Sequence, residues 1–202
     1  MPKILHADID IVKSKKISLL KNNANSIITK YYPEYRQSNI KMGLNYFVIQ
    51  TDSKNGDGVN TTIHIDFSKL FAKPNTIKIK LNGNIVGNDD GQGNIIINGV
   101  QSGSVTYGNY DGETRTYTGG YVDIDFGNVL STDDVIEVEY YVNLFEHMKY
   151  FIDSIRKGVE NIENNILSAT DLNTIDSIKI TEEKILEETS SIIGQLVLIE
   201  IK

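Results

Sequence analysis

Val135-Ile136-Glu137-Val138-Glu139-Tyr140-Tyr141-Val142-Asn143-Leu144-Phe145-Glu146-His147-Met148 is the stretch on which the reading of this chain turns. Through Val142 apolar and charged residues alternate, the period of two expected of a half-buried strand. Beyond Asn143 the period changes. Apolar residues recur at Leu144, Met148, Phe151, Ile155, Val159, Ile162 and Ile166, in steps of 4, 3, 4, 4, 3 and 4. That is one face of an α-helix. Asn143 and Glu146 are spaced as an N-cap and its N3 partner in a capping box, with Asn in place of Ser or Thr. No linker intervenes, so a β module is expected to run straight into a one-faced helix and to be mechanically coupled to it.

Upstream, the punctuation is that of an all-β module. Strands are predicted over 46–51, 61–67, 76–81, 94–97, 104–107, 114–118, 121–126 and 135–142. Asn82-Gly83, Asn98-Gly99, Asp111-Gly112, Gly119-Gly120 and the runs 55–58 and 88–91 lie between them. Asn-Gly and Asp-Gly favour tight hairpins because both central residues must reach positive φ. Alternation assigns an inner face to Ile63, Ile65 and Phe67, to Ile77, Ile79 and Leu81, to Val122, Ile124 and Phe126, and to Ile136, Val138 and Tyr140.

Three segments follow: an N-terminal arm over 1–45, a β-sandwich domain over 46–142 and a helical assembly segment with a terminal strand over 143–202. The fold class expected is α+β, with a central all-β sandwich or jelly-roll-like module. In the arm, residues 4–12 alternate like a strand, and 17–32 form an amphipathic helix that Pro33 stops. The long helix runs over 143–167, weakened near its middle by Gly158. After a connection over 168–174, a second helix starts near Thr181 and ends at Gly194. Residues 196–201 read as a strand.

Composition bounds the chemistry. The chain has 202 residues and no cysteine, which excludes a disulfide framework and thiolate catalysis. The charge of −7 divides unevenly: +5 over 1–45, −7 over 46–142 and −5 over 143–202. A basic arm and an acidic body suit mutual steering of subunits. The basic run Lys13, Lys15, Lys16 is short and lacks interleaved aromatics, so no nucleic-acid partner is expected. Neither a signal peptide nor a membrane-spanning segment is read.

No motif for catalysis or phosphate binding is present, and no catalytic residue, cofactor or metal ligand is assigned. His64 and Asp66 share a strand face, more often a surface pair than an acid–base site. His147 is expected at the helix surface or at a subunit contact, and His6 has no companion nearby. The loop 52–58 offers oxygen ligands of the kind Ca²⁺ takes, but its spacing is better read as a plain loop. Tyr107, Tyr110 and Tyr117, with Tyr121, cluster in a Gly-rich stretch and form either a packed rim or a glycan-stacking surface. The stripe Leu144, Met148, Phe151, Ile155, Val159, Ile162 and Ile166 either folds back on its own chain or meets a partner. The partner reading is preferred here, with these residues as the oligomer interface.

Ile77, Ile79, Leu81, Asn82 and Gly83, followed by Val122, Ile124, Phe126, Leu130, Asp134, Ile136, Val138 and Tyr140, resemble β-sandwich modules of tailed-bacteriophage structural proteins and phage-tail-like particles. The resemblance covers residues 76–141, with Asp133-Asp134 where Gly-Asp is more familiar. It implies a non-enzymatic subunit of a baseplate, neck, fibre or capsid decoration, located in the particle. Its partners would be copies of itself or other particle subunits, attached through appended helices. The alternative is a carbohydrate-binding or adhesin module that uses the Tyr-rich rim. A hydrolase with a carboxylate such as Asp123 is a distant third.

Overall fold

A computed structural model describes residues 6–32 and 48–193. Two compact units arise from the chain where three successive segments were expected. One unit takes the N-terminal residues up to position 41 and those from Phe151 onward; the other takes residues 42–150.

The second unit is antiparallel throughout. Strands β1 Ile49–Asn55, β2 Thr62–Asp66, β3 Lys78–Leu81, β4 Asn84–Asp89, β5 Asn94–Ile97, β6 Val100–Thr106, β9 Tyr121–Asp125 and β10 Val135–Tyr141 form one sheet. Their order is β1-β10-β3-β4-β5-β6-β9-β2. Strands β7 Asn109–Asp111 and β8 Thr116–Thr118 pair apart as a hairpin. The Asn82-Gly83 turn has φ of 51° and 80°, and Asn98-Gly99 repeats these values. Both turns thus have the two left-handed residues that match strand twist.

The sheet curls until its edge strands face each other, giving a nearly closed, sandwich- or barrel-like body. Side chains close the seam: Asp52 accepts from the backbone N–H of Ser68 at 2.8 Å, and Lys54 Nζ donates to the His64 carbonyl at 3.0 Å. Most of the expected inner face is inside, with Ile63, Ile65, Phe67, Ile77, Ile79, Val122, Ile124, Ile136, Val138 and Tyr140 buried, whereas Leu81 and Phe126 are only half-buried. Burial pushes the Tyr140 hydroxyl pKa upward. That hydroxyl donates to Asp52 at 2.8 Å and accepts from the Lys69 N–H at 3.1 Å, tying β1 to the segment after β2.

Four strands depart most from expectation. β1 runs on through Asn55 into the expected loop 52–58, and β6 starts at Val100 where a strand was expected only from 104. β4 and β7 were not expected as strands, since Gly87-Asn88-Asp89 and Asn109-Tyr110-Asp111 are rich in turn formers and overlap the expected turns 88–91 and Asp111-Gly112. Ladder partners on both sides hold β4 despite that composition.

In the helical unit, α1 His6–Tyr31 is continuous, which overturns the strand expected over 4–12. The Asp8-Ile9-Asp10-Ile11 alternation is coincidental. Ile11 is 52% exposed, whereas Leu20, Ala24, Ile27 and Ile28 carry the buried helical stripe. Helix α2 Leu144–Ser168 begins in the β unit and continues here, followed by α3 Leu172–Ser177 and α4 Glu182–Ile193. Residues 168–174 were expected as plain connection, and α3 departs from that. Asp171 caps it by accepting from the Thr174 N–H at 2.8 Å. Thr181 caps α4 through the Lys184 N–H at 3.2 Å.

Lys21 pairs with Glu163 at 3.0 Å and Lys13 reaches the Leu167 carbonyl at 2.7 Å, so α1 and α2 run antiparallel. Lys16 likewise donates to the Ile175 carbonyl at the end of α3. Two lysines of the basic run therefore serve helix C-termini, where carbonyls are unpaired and the dipole is negative. The arm and the C-terminal helices, expected as separate appendages, are one unit because they bury each other's apolar faces. The terminal strand expected over 196–201 and Gly194 lie outside the described residues.

Gly158 has a packing role that the sequence concealed. A Cβ built on it would lie 2.4 Å from Thr189 Oγ1 and 3.1 Å from the Thr189 backbone nitrogen. Glycine therefore lets α2 and α4 approach closely. Gly158→Ala is expected to lower stability by about 1–3 kcal/mol, although alanine is the better helix former. Urea unfolding checks this, and a gain in stability would contradict the tight crossing.

Candidate functional site

The stripe Leu144, Met148, Phe151, Ile155, Val159, Ile162 and Ile166 is covered by the chain itself, each residue 9% exposed or less. The expectation that it forms an open oligomer interface is therefore corrected. Phe151, for example, packs under the rings of Tyr31 and Tyr32 at 5.5 and 5.3 Å. The periodicity announced a buried face, but not its cover, which comes from distant sequence.

The tyrosine rim also turns inward. Tyr107 donates its hydroxyl to Asp89 Oδ2 at 2.9 Å, and burial with that carboxylate pushes its pKa up to about 12. Tyr110 is buried, its ring 5.6 Å from Tyr150. Tyr117, also against Tyr150 at 5.0 Å, stays 42% exposed. Of the three proposed glycan contacts, only Tyr117 presents an open ring.

Asp89 is itself an element that sequence reasoning assigned to a turn. It is 4% exposed, and its carboxylate accepts from the N–H of Asn75 at 2.7 Å and of Ile77 at 2.8 Å as well as from Tyr107. It holds Asn75 at φ 62°. An Asp between Asn88 and Asp90 in a turn-like Asn-Asp-Asp-Gly run gave no signal of this.

His147 is buried, not at the surface as expected. Among the described residues neither ring nitrogen has a hydrogen-bond partner, and the ring meets the Phe71 ring edge-on at 5.6 Å. Burial, aided by the Lys69 charge, holds its pKa down to about 4. The signal was available: His147 lies three residues after Leu144 and four before Phe151, on the stripe itself.

His64 joins both Asp66, as expected, and Asp123 from the neighbouring strand. Nδ1 lies 2.8 Å from Asp123 and Nε2 lies 3.2 Å from Asp66. The Asp123 hydrogen bond is the chief cause of its raised pKa. Such exposed pairs contribute little stability. Asp57, a candidate Ca²⁺ ligand, accepts instead from Asn60 and Val59, which draws its pKa down to about 2. Asp52 is committed to Tyr140 and Ser68. Among the described residues no group of three His, Asp or Glu side chains is arranged to hold a metal. The N-cap holds at one end only: the Glu146 N–H donates to Asn143 Oδ1 at 3.4 Å, while the Glu146 carboxylate turns to the Tyr110 N–H and to Lys149.

A cleft of about 360 Å³ opens between α1 and α2, floored by Ala24, Ile28, Ile155 and Val159 and rimmed by balanced charges. The more distinctive surface lies on the β unit. Strand register puts the 56–61 and 126–134 loops and the turns at 82–83 and 98–99 at one end of the sheet, opposite the start of α2. That end shows Val59 at 74%, Val100 at 64%, Ile85 at 62%, Val129 at 47% and Val135 at 37% exposure.

Its loops are tightly fixed. Gly56 and Gly58 donate to the carbonyls of Asp134 and Leu130 at 2.9 and 3.0 Å, joining the two long loops. Asp134 accepts from the Ser131 N–H and Asn82 Nδ2, both at 2.8 Å. A Cβ at Gly56 would sit 2.2 Å from the Ser131 carbonyl oxygen, so this approach needs glycine. The four connections carry Asp57, Asp133 and Asp134 and no lysine or arginine. This end thus combines exposed aliphatics, fixed loops and an acidic surround.

Compared with family models, with curated proteins and with solved structures, the chain matches none.

Proposed function

We propose that this chain is a non-enzymatic structural subunit of a phage virion or phage-tail-like particle that attaches to neighbouring subunits. The observation that carries the reading is the rigid loop end of the β unit with Val59, Val100, Ile85, Val129 and Val135 turned to solvent. Isolated exposed aliphatics are ordinary, but five at one end of one sheet favour burial on assembly. The loop that Asp134 closes is among the residues that resemble phage β-sandwich modules. No described helix is long and apolar enough to cross a membrane.

Gradient-purified particles from the producing cell test this reading by quantitative mass spectrometry. The chain is expected in them at fixed stoichiometry to the other subunits, with incorporation lost in the Val59→Asp/Val129→Asp double variant. A chain absent from particles, or incorporated equally well with both aspartates, overturns it.

A further inference from the structure

We propose that the acidic loop end of the β unit docks on the exposed face of α1 of a second copy of this chain. This rests on the assembly reading above and names the partner. Asp57 and Asp133 supply negative charge beside Val59 and Val129, which sit on loops joined by the Gly58–Leu130 hydrogen bond. The matching surface is on α1. Ile11, Lys15 and Leu19 follow one another at four-residue spacing, so they form a single stripe. Ile11 is 52% and Leu19 50% exposed, with Lys15 also exposed between them.

The neighbouring lysines of α1 are otherwise engaged. Lys13 and Lys16 bind carbonyls at the ends of α2 and α3, and Lys21 pairs with Glu163. Lys15 has no such internal contact among the described residues and stands between two exposed aliphatics. Aliphatic–cation–aliphatic on one surface complements aliphatic–carboxylate on the other, and the charge asymmetry between the two segments steers the encounter. The loops are already fixed, so little ordering entropy opposes the contact. Because different patches meet, the contact is heterologous: a pair of copies keeps one free surface of each kind, and association continues to a ring or an open string.

The test is sedimentation velocity on the full chain up to roughly 100 µM. Wild type is expected to form oligomers that grow with concentration and weaken as salt rises from roughly 0.05 to 0.5 M. Lys15→Glu alone and Val59→Asp/Asp133→Lys alone are each expected to be monomeric, with circular dichroism unchanged because all three positions are exposed. Mixing the two variants is the decisive step. The first keeps an intact loop end and the second an intact α1 stripe, so head-to-tail docking gives a 1:1 dimer that cannot grow. A monomeric wild type, oligomers indifferent to Lys15→Glu, or a mixture that stays monomeric overturns the proposal. If that happens while the chain still enters particles through its loop end, the partner is a different subunit and the assembly reading stands. If the chain is absent from particles, that reading fails independently.

Discussion

Replacing Asp89 with alanine is expected to destabilise the β unit by about 3 kcal/mol, because one buried and two part-buried donors lose one acceptor group together. The N–H groups of Asn75 and Ile77 and the Tyr107 hydroxyl all point at that carboxylate, at 2.7, 2.8 and 2.9 Å. No water reaches it readily, since Asp89 is 4% exposed. Asn75 also holds a left-handed backbone there. The urea midpoint should fall by roughly 1–2 M. Asp89→Asn should cost less, since one oxygen still accepts while the amide now faces donors. A pair of variants with midpoints equal to wild type would show that the segment around Asn75 holds itself.

The second large effect concerns acid. His147 is buried with its pKa held down to about 4, whereas an unfolded histidine titrates near 6.5. As pH falls below 6.5 the unfolded chain takes up a proton that the native chain refuses. Stability is therefore complete above 6.5 and declines toward 4, by about 2 kcal/mol at pH 5 and about 3 kcal/mol at pH 4. His64 acts in the opposite sense: its raised pKa gives stability that is present below 6.5 and lost as pH rises through the folded value. Exposure keeps that term small. His147→Phe should keep the ring packing on Phe71, relieve two unpartnered nitrogens and flatten the melting temperature between pH 6.5 and 5 relative to wild type. Parallel pH profiles for the two proteins would rule out His147 as the cause.

Legibility followed the physical range of each signal. The β10-to-α2 change of period was readable because strand and helix patterns are local and both are strong there. Residues 121–126 and 135–142 gave β9 and β10 with errors of a residue at their ends. Asp8-Ile9-Asp10-Ile11 misled because four residues fit two periods, and only the later Leu20, Ala24, Ile27, Ile28 stripe decides between them. β4 was hidden because its pairing lies in neighbouring strands while its composition is that of a turn. The stripe from Leu144 to Ile166 told which side of α2 is apolar. From Phe151 onward it held no information about α1 as the cover, since that pairing spans more than a hundred residues. The loop-end valines were invisible for a similar reason: each is unremarkable alone, and only strand register gathers them.

The division of the chain also orders its birth on the ribosome. Residues 48–150 finish a self-contained sheet while α4 is still unsynthesised, so the β unit has its full complement of strands early. Helix α1 does not. Its face of Leu20, Ala24, Ile27 and Ile28 waits, without its final partners, until the chain beyond Phe151 emerges. Closing so long a loop is slow, and uncovered apolar surface in the interval favours aggregation or capture by a chaperone. A circular permutant that links the end of the chain to its start and opens between α1 and β1 places α1 directly after α4 and would remove that wait.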